Sequence, residues 1–140
     1  GSPILIHHGD IDFLTNPDLN GSYDQKEPIN LKEFSSLFQE IDPTQPIQVG
    51  QYSLEVFPTP GHTQGSVLFI DHAHKTVYTG DTLFQGTIGA THFPGGNKKQ
   101  MFDSLIKIHK TIPNDYAIYP GHSDLTTMEE EKKSNPYLKW

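Results

Sequence analysis

The sequence predicts an α/β fold in which a mixed or antiparallel β-sheet is flanked by helices. Alternating apolar side chains over residues 52–57 predict one strand. Residues 66–70 predict a second strand, which turns at residues 71–74 into a third strand over residues 76–79. Apolar positions at helical spacing over residues 97–112 predict the main helix. We therefore expect one antiparallel sheet that holds these three strands, with the helix packed against it.

Two helices carry recognisable end signals. Asn97 and Gln100 are spaced as in a capping box, and Pro113 follows the predicted helix end. A short strand is predicted over residues 116–119. The capping-box pattern occurs again over residues 127–130, where it predicts the start of a short, charged last helix.

The N-terminal third is predicted to be less regular. Residues 3–8 form a short apolar run that predicts a strand, followed by a short helix over residues 11–14. Asn, Pro, Asp and Gly over residues 15–28 predict a loop. Apolar residues at positions 31, 34, 37, 38 and 41 predict a second helix over residues 31–41, which prolines 43 and 46 would end.

Length and composition exclude several classes of function. The 140 residues predict a single domain over residues 1–140, in which Gly1 and Ser2 have the character of a cloning scar. A net charge of −7 and the absence of arginine argue against nucleic-acid binding. The absence of cysteine excludes disulfides and thiolate chemistry. The chain has no apolar run near the roughly 20 residues of a membrane span, so we expect no membrane association. The absence of cysteine permits an intracellular setting, and we expect a cytoplasmic location.

Three loops share one pattern, in which a metal-competent side chain directly follows a glycine at the end of a predicted strand. The segments T-P-G-H, T-G-D-T and Y-P-G-H place His62, Asp81 and His122 in this position. Glycine allows backbone conformations that aim the next side chain from a strand end into a cleft. Imidazole and carboxylate are the ligands that zinc accepts when thiolates are absent. The residues are therefore candidate metal ligands.

The residues alone leave a simpler interpretation open. A histidine after glycine is usually an ordinary loop residue, and Gly-Asp is usually a turn. Five other histidines lack the glycine-ligand pattern, and we expect none of these five to bind metal natively: His7, His8, His72, His74 and His109.

The three loops lie within or beside longer motifs that resemble those of a known family. These motifs are PTPGHTQGSVLF (58–69), YTGDTLF (78–84), GTIGATHFPGGN (86–97), YPGH (119–122) and TTMEEEKKSNPYL (126–138). With them the sequence resembles glyoxalase II-like metal-dependent hydrolases of the metallo-β-lactamase fold over nearly everything after residue 47. The resemblance implies an αββα sandwich, of which this chain holds mainly the second sheet and its flanking helices. It also implies that His62 binds a first zinc ion, that Asp81 bridges two ions and is catalytic, and that His122 binds the second.

The resemblance further implies hydrolysis of a thioester or ester by a metal-bound hydroxide in a longer parent protein. Such enzymes take their other ligands from an H-x-H-x-D-H motif, which this sequence does not contain. We therefore expect the chain to be the C-terminal portion of the domain, with weak or partial zinc binding and little activity alone. A non-catalytic half-domain that serves in binding or scaffolding is the alternative. We also expect the chain to associate with itself or with the missing N-terminal half.

Two departures from the family pattern lie in loops. Gly89-Ala90-Thr91-His92 replaces a G-R-T-D segment, so that an Arg–Asp pair that could brace this loop is absent. Ser123 stands where glycine is common, which we expect to be a mild change.

Overall fold

The computed structural model describes residues 1–139 as short strands, three α-helices and two 3-10 helices. The 3-10 helices span His8–Leu14 and Lys32–Leu37. The α-helices are α1 (Pro17–Asn20), α2 (Lys98–Thr111) and α3 (Met128–Ser134). The strands are β1 (Ile4–Ile6), β2 (Phe38–Glu40), β3 (Ile47–Val49), β4 (Tyr52–Pro58), β5 (Val67–Asp71), β6 (Thr76–Gly80), β7 (Leu83–Phe84), β8 (Thr87–Ile88), β9 (Ala117–Pro120) and β10 (Thr126–Thr127).

A mixed six-stranded sheet forms the centre of the fold, with the strand order β10-β9-β6-β5-β4-β3. The pairs β4–β5 and β5–β6 are antiparallel, which confirms the predicted shared sheet. β6 and β9 run parallel, with a register shift near Gly80. The parallel pair results because α2 lies between β6 and β9 in the sequence and returns the chain to the same end of the sheet. The α/β class with a mixed sheet and flanking helices is thus confirmed.

α2 and α3 cover one face of this sheet. Met101, Leu105 and Ile108 of α2 are buried in one apolar cluster with Met128, at the start of α3. The sheet contributes alternate residues to the same cluster, as a pleated strand requires: Phe57, Leu68, Ile70, Val77 and Ile118. On the opposite face Tyr78 and Tyr119 pair across the strands and remain 43% and 40% exposed. The sheet therefore has one fully packed face and one partly exposed face.

The start of α2 is only half a capping box. The Asn97 side chain accepts a hydrogen bond from the Gln100 backbone N–H at 2.9 Å, as predicted. The backbone N–H of Asn97, however, donates to the Gly61 carbonyl at 2.8 Å, and the Gln100 side chain instead accepts from Gln64. The helix is thereby attached to the T-P-G-H loop.

The predicted helix over residues 31–41 is wrong in its second half. Lys32–Leu37 forms a 3-10 helix, but Phe38–Glu40 is β2, which pairs in parallel with β1. Pairing with a strand more than 30 residues away satisfies the backbone groups that a helix would have satisfied locally. The predicted loop over residues 15–28 also contains the one-turn helix α1, which Asn16 caps before Pro17.

Within residues 1–139 no helix is long and apolar enough to cross a membrane.

Candidate metal centre

Strand direction brings the three glycine-flanked loops to one edge of the sheet. β6 and β9 are parallel, so Asp81 and His122 follow strand ends that lie side by side. β4 is antiparallel to β5, which is antiparallel to β6, so β4 also ends at this edge. The loop after β4 carries His62. The directions of these strands therefore bring together side chains that are up to 60 residues apart in the sequence.

The two histidines contact different oxygens of one carboxylate. His62 Nε2 lies 3.5 Å from Asp81 Oδ2, and His122 Nε2 lies 3.2 Å from Asp81 Oδ1. All three sequence-predicted site residues thus come together, with Asp81 in the middle. A carboxylate in this position can bind one cation through each oxygen.

His62 is held in one orientation by the loop after β8. Its Nδ1 lies 2.7 Å from the Ala90 carbonyl oxygen. Because a carbonyl only accepts hydrogen bonds, Nδ1 is the donor, and in the neutral imidazole the Nε2 lone pair then faces Asp81. A lone pair and a carboxylate oxygen that face each other are both satisfied by a cation between them. This backbone bond to the remote nitrogen is the arrangement that orients metal-binding histidines.

Exposure differs strongly among the three side chains. His62 and Asp81 are 23% and 34% exposed, whereas His122 is 74% exposed and is contacted edge-on by the Phe84 ring. The site is therefore fixed on the His62 side and open to solvent on the His122 side.

Two of the three glycines before the candidate ligands lie in close contacts, each of a different kind. Gly61 has φ +151°, and a side chain on it would come within 2.5 Å of the Met101 backbone. Gly121 has ordinary backbone angles, but a Cβ there would come within 2.6 Å of Asp81 Oδ1. Gly61 lets the loop pack on α2, while Gly121 leaves room for the carboxylate.

Asp10 is a residue that the sequence patterns did not identify. Its two oxygens accept hydrogen bonds from the Thr63 hydroxyl and the Gly65 N–H, both at 2.8 Å. A Cβ on Gly65 would come within 2.5 Å of the Asp10 carboxyl carbon, so the two segments are in close contact. Asp10 thus holds the loop that carries His62. No local signal could have found it, since its partners lie more than 50 residues away in sequence.

The loop that lacks the Arg–Asp pair is held by its backbone. The Gly89 N–H donates to the Thr82 carbonyl, and Ala90 accepts from His62. His92 is exposed and stacks on Phe93, with ring centroids 4.3 Å apart. Hydrogen bonds from the metal-site loops therefore take the bracing role.

Ser123, which we expect to be a mild change, has φ +69°, a left-handed conformation that glycine adopts without cost. A glycine at this position would adopt the same backbone conformation more easily.

The three side chains are of the types that bind metal ions, but they are fewer than a catalytic metal site requires. Imidazole and carboxylate are suitable zinc or iron ligands. Among residues 1–139, however, no group of three or more His, Asp, Glu or Cys side chains is arranged to hold a metal ion. Each candidate metal position therefore has two ligands from this chain, one histidine nitrogen and one Asp81 oxygen. Catalytic zinc sites use three protein ligands. The described residues therefore do not complete a catalytic metal site by themselves.

Five further histidines lie in other elements or contact groups other than Asp81. His7 accepts from the Gly9 N–H, and His8 lies near Glu40. His72 lies between Glu55 and Tyr116, and His74 contacts Asp71. His109 is part of α2.

Comparison with known proteins places this geometry in a family. Residues 2–122 match the metallo-beta-lactamase superfamily. The chain is 34% identical over 140 residues to a probable metallo-hydrolase of Streptococcus pyogenes, covering 97% of this chain and 59% of that protein. It is 39% identical over 92 residues to the hydroxyacylglutathione hydrolase GloC of Haemophilus influenzae, covering 66% of this chain and 43% of GloC. The chain thus spans less than two thirds of the length of these curated relatives.

Two solved structures share the fold. The BLEG-1 B3 metallo-beta-lactamase superposes with a TM-score of 0.83 at 30% identity, over 99% of this chain and 66% of that one. TTHA1623, solved in a di-iron-bound form, superposes with a TM-score of 0.76 at 27% identity, over 97% of this chain and 65% of that one. The second of these structures holds a di-iron site, so this fold can hold metal ions. With the family match over residues 2–122 and the mixed sheet whose edge gathers His62, Asp81 and His122, the chain belongs to the metallo-beta-lactamase superfamily.

Proposed function

We propose that this chain supplies one half of the metal centre of a metal-dependent hydrolase, in which Asp81 bridges two metal ions, His62 binds the first and His122 binds the second. The observation that carries the proposal is the arrangement of the Asp81 carboxylate, whose two oxygens each face the Nε2 atom of a different histidine, at 3.5 and 3.2 Å. The hydrogen bond from His62 Nδ1 to Ala90 supports it, because it leaves the Nε2 lone pair directed at the proposed metal position.

The residues of the chain would act by position and charge. Asp81 places one negative charge between two cation positions and so offsets the repulsion between the cations. The Ala90 carbonyl and the Asp10 contacts keep the His62 ring and its loop in place. The metal ions, when bound, would supply Lewis acidity and lower the pKa of a coordinated water. We propose zinc as the metal, on the donor chemistry of imidazole and carboxylate.

We propose thioester hydrolysis as the reaction, with an S-acyl conjugate of glutathione or a related thiol as the substrate. Two observations support this choice: the glyoxalase II-like motifs over residues 58–138 and the 39% identity to the hydroxyacylglutathione hydrolase GloC over 92 residues. A cytoplasmic location is part of the same proposal, because such thiol conjugates belong to a reducing compartment.

The remaining ligands would come from outside this chain. Three donors are too few for two catalytic metal ions, and the curated relatives are longer than the part this chain matches. We propose that an upstream H-x-H-x-D-H segment of a longer protein completes the site.

Zinc titration of chelator-stripped protein by calorimetry tests the proposal. We expect weak, saturable uptake by the wild type, since each zinc ion has two of its protein ligands. Asp81→Ala should lower the affinity by about tenfold or more, the scale at which supporting ligand groups act. Asp24→Ala, which removes an exposed carboxylate elsewhere, is the matched control and should bind zinc like the wild type. Equal affinity of wild type and Asp81→Ala would contradict the proposal.

A non-catalytic half-domain that acts in binding or scaffolding is the second candidate. The observation that favours it is the incomplete donor set among residues 1–139. Absence of saturable zinc binding by a folded wild-type chain would support this alternative. An intact H-x-H-x-D-H segment upstream in the gene would exclude it.

A further inference from the structure

A cavity of about 400 Å³ is lined in part by His62. Phe13, Leu19, Phe93 and Pro94 contribute apolar walls, and His62 lies at its border. The volume is within the range of small-molecule sites, roughly 300 to 1,000 Å³. The apolar walls come from the 3-10 helix His8–Leu14, from α1 and from the loop before α2, and these three segments meet the His62 loop at the cavity.

The polar groups at this cavity are already hydrogen-bonded within the fold. The Asn20 amide donates to the carbonyls of Phe13 and Ile29 at 2.8 and 3.1 Å, and its oxygen accepts from Ser22. The Thr63 hydroxyl donates to Asp10. The described residues that line the cavity include no Asp, Glu or Lys. The cavity therefore favours an apolar group, because a charged or hydroxylated one would lose water without gaining a polar contact.

The cavity walls are preformed. The Phe13 ring lies against Gly95, where a Cβ would come within 3.0 Å of the ring. Asn20 fixes the end of α1 through the bonds to Phe13 and Ile29. Phe93 is 55% exposed and stacks on His92, so it forms the outer rim. Little ordering is needed when a ligand enters such a site.

We propose that this cavity binds the acyl group of the substrate and selects an apolar acyl chain or aryl group over a short hydroxyacyl group. The inference rests on the proposed function, because it places the reacting carbonyl at the metal centre beside His62. From that point an acyl chain reaches the cavity between Phe13, Leu19 and Phe93. Each buried methylene should raise the affinity roughly fourfold until the cavity is filled.

Binding of neutral amides to the 140-residue chain tests the proposal without metal or catalysis. In a titration followed by ¹H–¹⁵N NMR, hexanamide should shift the amide signals of Phe13, Leu19, His62 and Phe93 in a saturable manner. Butanamide should bind more weakly, by roughly fourfold per methylene. 2-Hydroxypropanamide should bind more weakly still. Shifts confined to other regions, or equal binding of hexanamide and the hydroxyamide, would overturn the proposal.

Two variants localise the binding. Leu19→Asp and Phe93→Asp each place a charge in the cavity wall, and each should weaken hexanamide binding about tenfold or more. Phe93 is exposed, so its variant keeps the fold even if Leu19→Asp does not. Phe102→Asp, a half-exposed phenylalanine on α2, is the matched control and should bind like the wild type. If Phe93→Asp bound hexanamide as tightly as the wild type, Phe93 would not be part of the binding site.

A kinetic comparison separates this inference from the proposed function. In the longer protein, S-hexanoyl-glutathione should be hydrolysed with a higher kcat/KM than S-lactoyl-glutathione, and Phe93→Asp should reduce this preference. Hydrolysis of both thioesters with equal kcat/KM would overturn the acyl selectivity and leave the hydrolase proposal intact. Hexanamide binding by the chain, with neither thioester hydrolysed by the longer protein, would support the cavity and overturn the proposed function.

Discussion

Asp10 is a single carboxylate that lies outside the candidate site and holds one of its loops in place. It accepts two hydrogen bonds from the loop that carries His62, from the Thr63 hydroxyl and from the Gly65 N–H. Asp10→Ala should lower the free energy of unfolding by about 1 to 3 kcal/mol, the scale of partly buried hydrogen bonds to a charged group. Urea unfolding measures the loss. Asp12→Ala, two residues away and exposed, should change stability by less than about 0.5 kcal/mol. Equal stability of Asp10→Ala and the wild type would contradict a bracing role.

At the scale of elements, His109 of α2 makes the stability of the fold depend on pH. Burial lowers the pKa of His109 below its ordinary value of 6.5, and the nearby charge of Lys132 lowers the pKa further. Between the folded-state pKa of His109 and its ordinary value of 6.5, the folded state therefore binds fewer protons than the unfolded state. The contribution of His109 to stability is complete above about pH 6.5 and is lost as the pH falls through the folded-state pKa.

The prediction is that the His109 ring titrates below 6.5 in the folded protein, which ring-proton NMR measures directly. Lys132→Gln should move that pKa upward, because it removes the positive charge. His109→Gln should make the loss of stability between pH 7 and pH 5 less steep. A His109 pKa at or above 6.5 would contradict the physical account.

Another element shows where tertiary contacts outweigh a local pattern. The apolar spacing over residues 31–41 predicts a helix, and Lys32–Leu37 is helical, although as a 3-10 helix. Phe38–Glu40 becomes a strand because β1 offers a parallel partner for its backbone. The spacing of apolar residues indicates which side chains can face the core, but it gives no information on whether a distant strand can pair with the segment.

At the scale of the whole molecule, the sheet is packed on one face and partly open on the other. α2 and α3 cover Leu68, Ile70 and Val77, whereas Tyr78 and Tyr119 stay about 40% exposed on the opposite face. Soluble monomers rarely leave a large apolar surface uncovered. Association of the chain with itself, or with an N-terminal half, remains a prediction.

Light scattering over a micromolar concentration range tests self-association. We expect the apparent mass of the wild type to rise with concentration. Tyr78→Lys combined with Tyr119→Lys should lower the apparent mass toward that of the monomer, because two added charges resist burial. Phe102→Lys on α2 should leave the association unchanged. A monomeric wild type throughout the range would contradict the prediction.

The sequence by itself determined the helix start at Asn97, the three central strands and the three glycine-flanked side chains of the candidate site. These features depend on local periodicity, on capping and on glycine, so neighbouring residues are enough to reveal them. Only the tertiary structure decided that Asp81 lies between His62 and His122, that Asp10 holds the His62 loop, and that an apolar cavity adjoins the site. Each of these depends on contacts between segments that are far apart in sequence, and such contacts are set by strand direction and packing at the sheet edge.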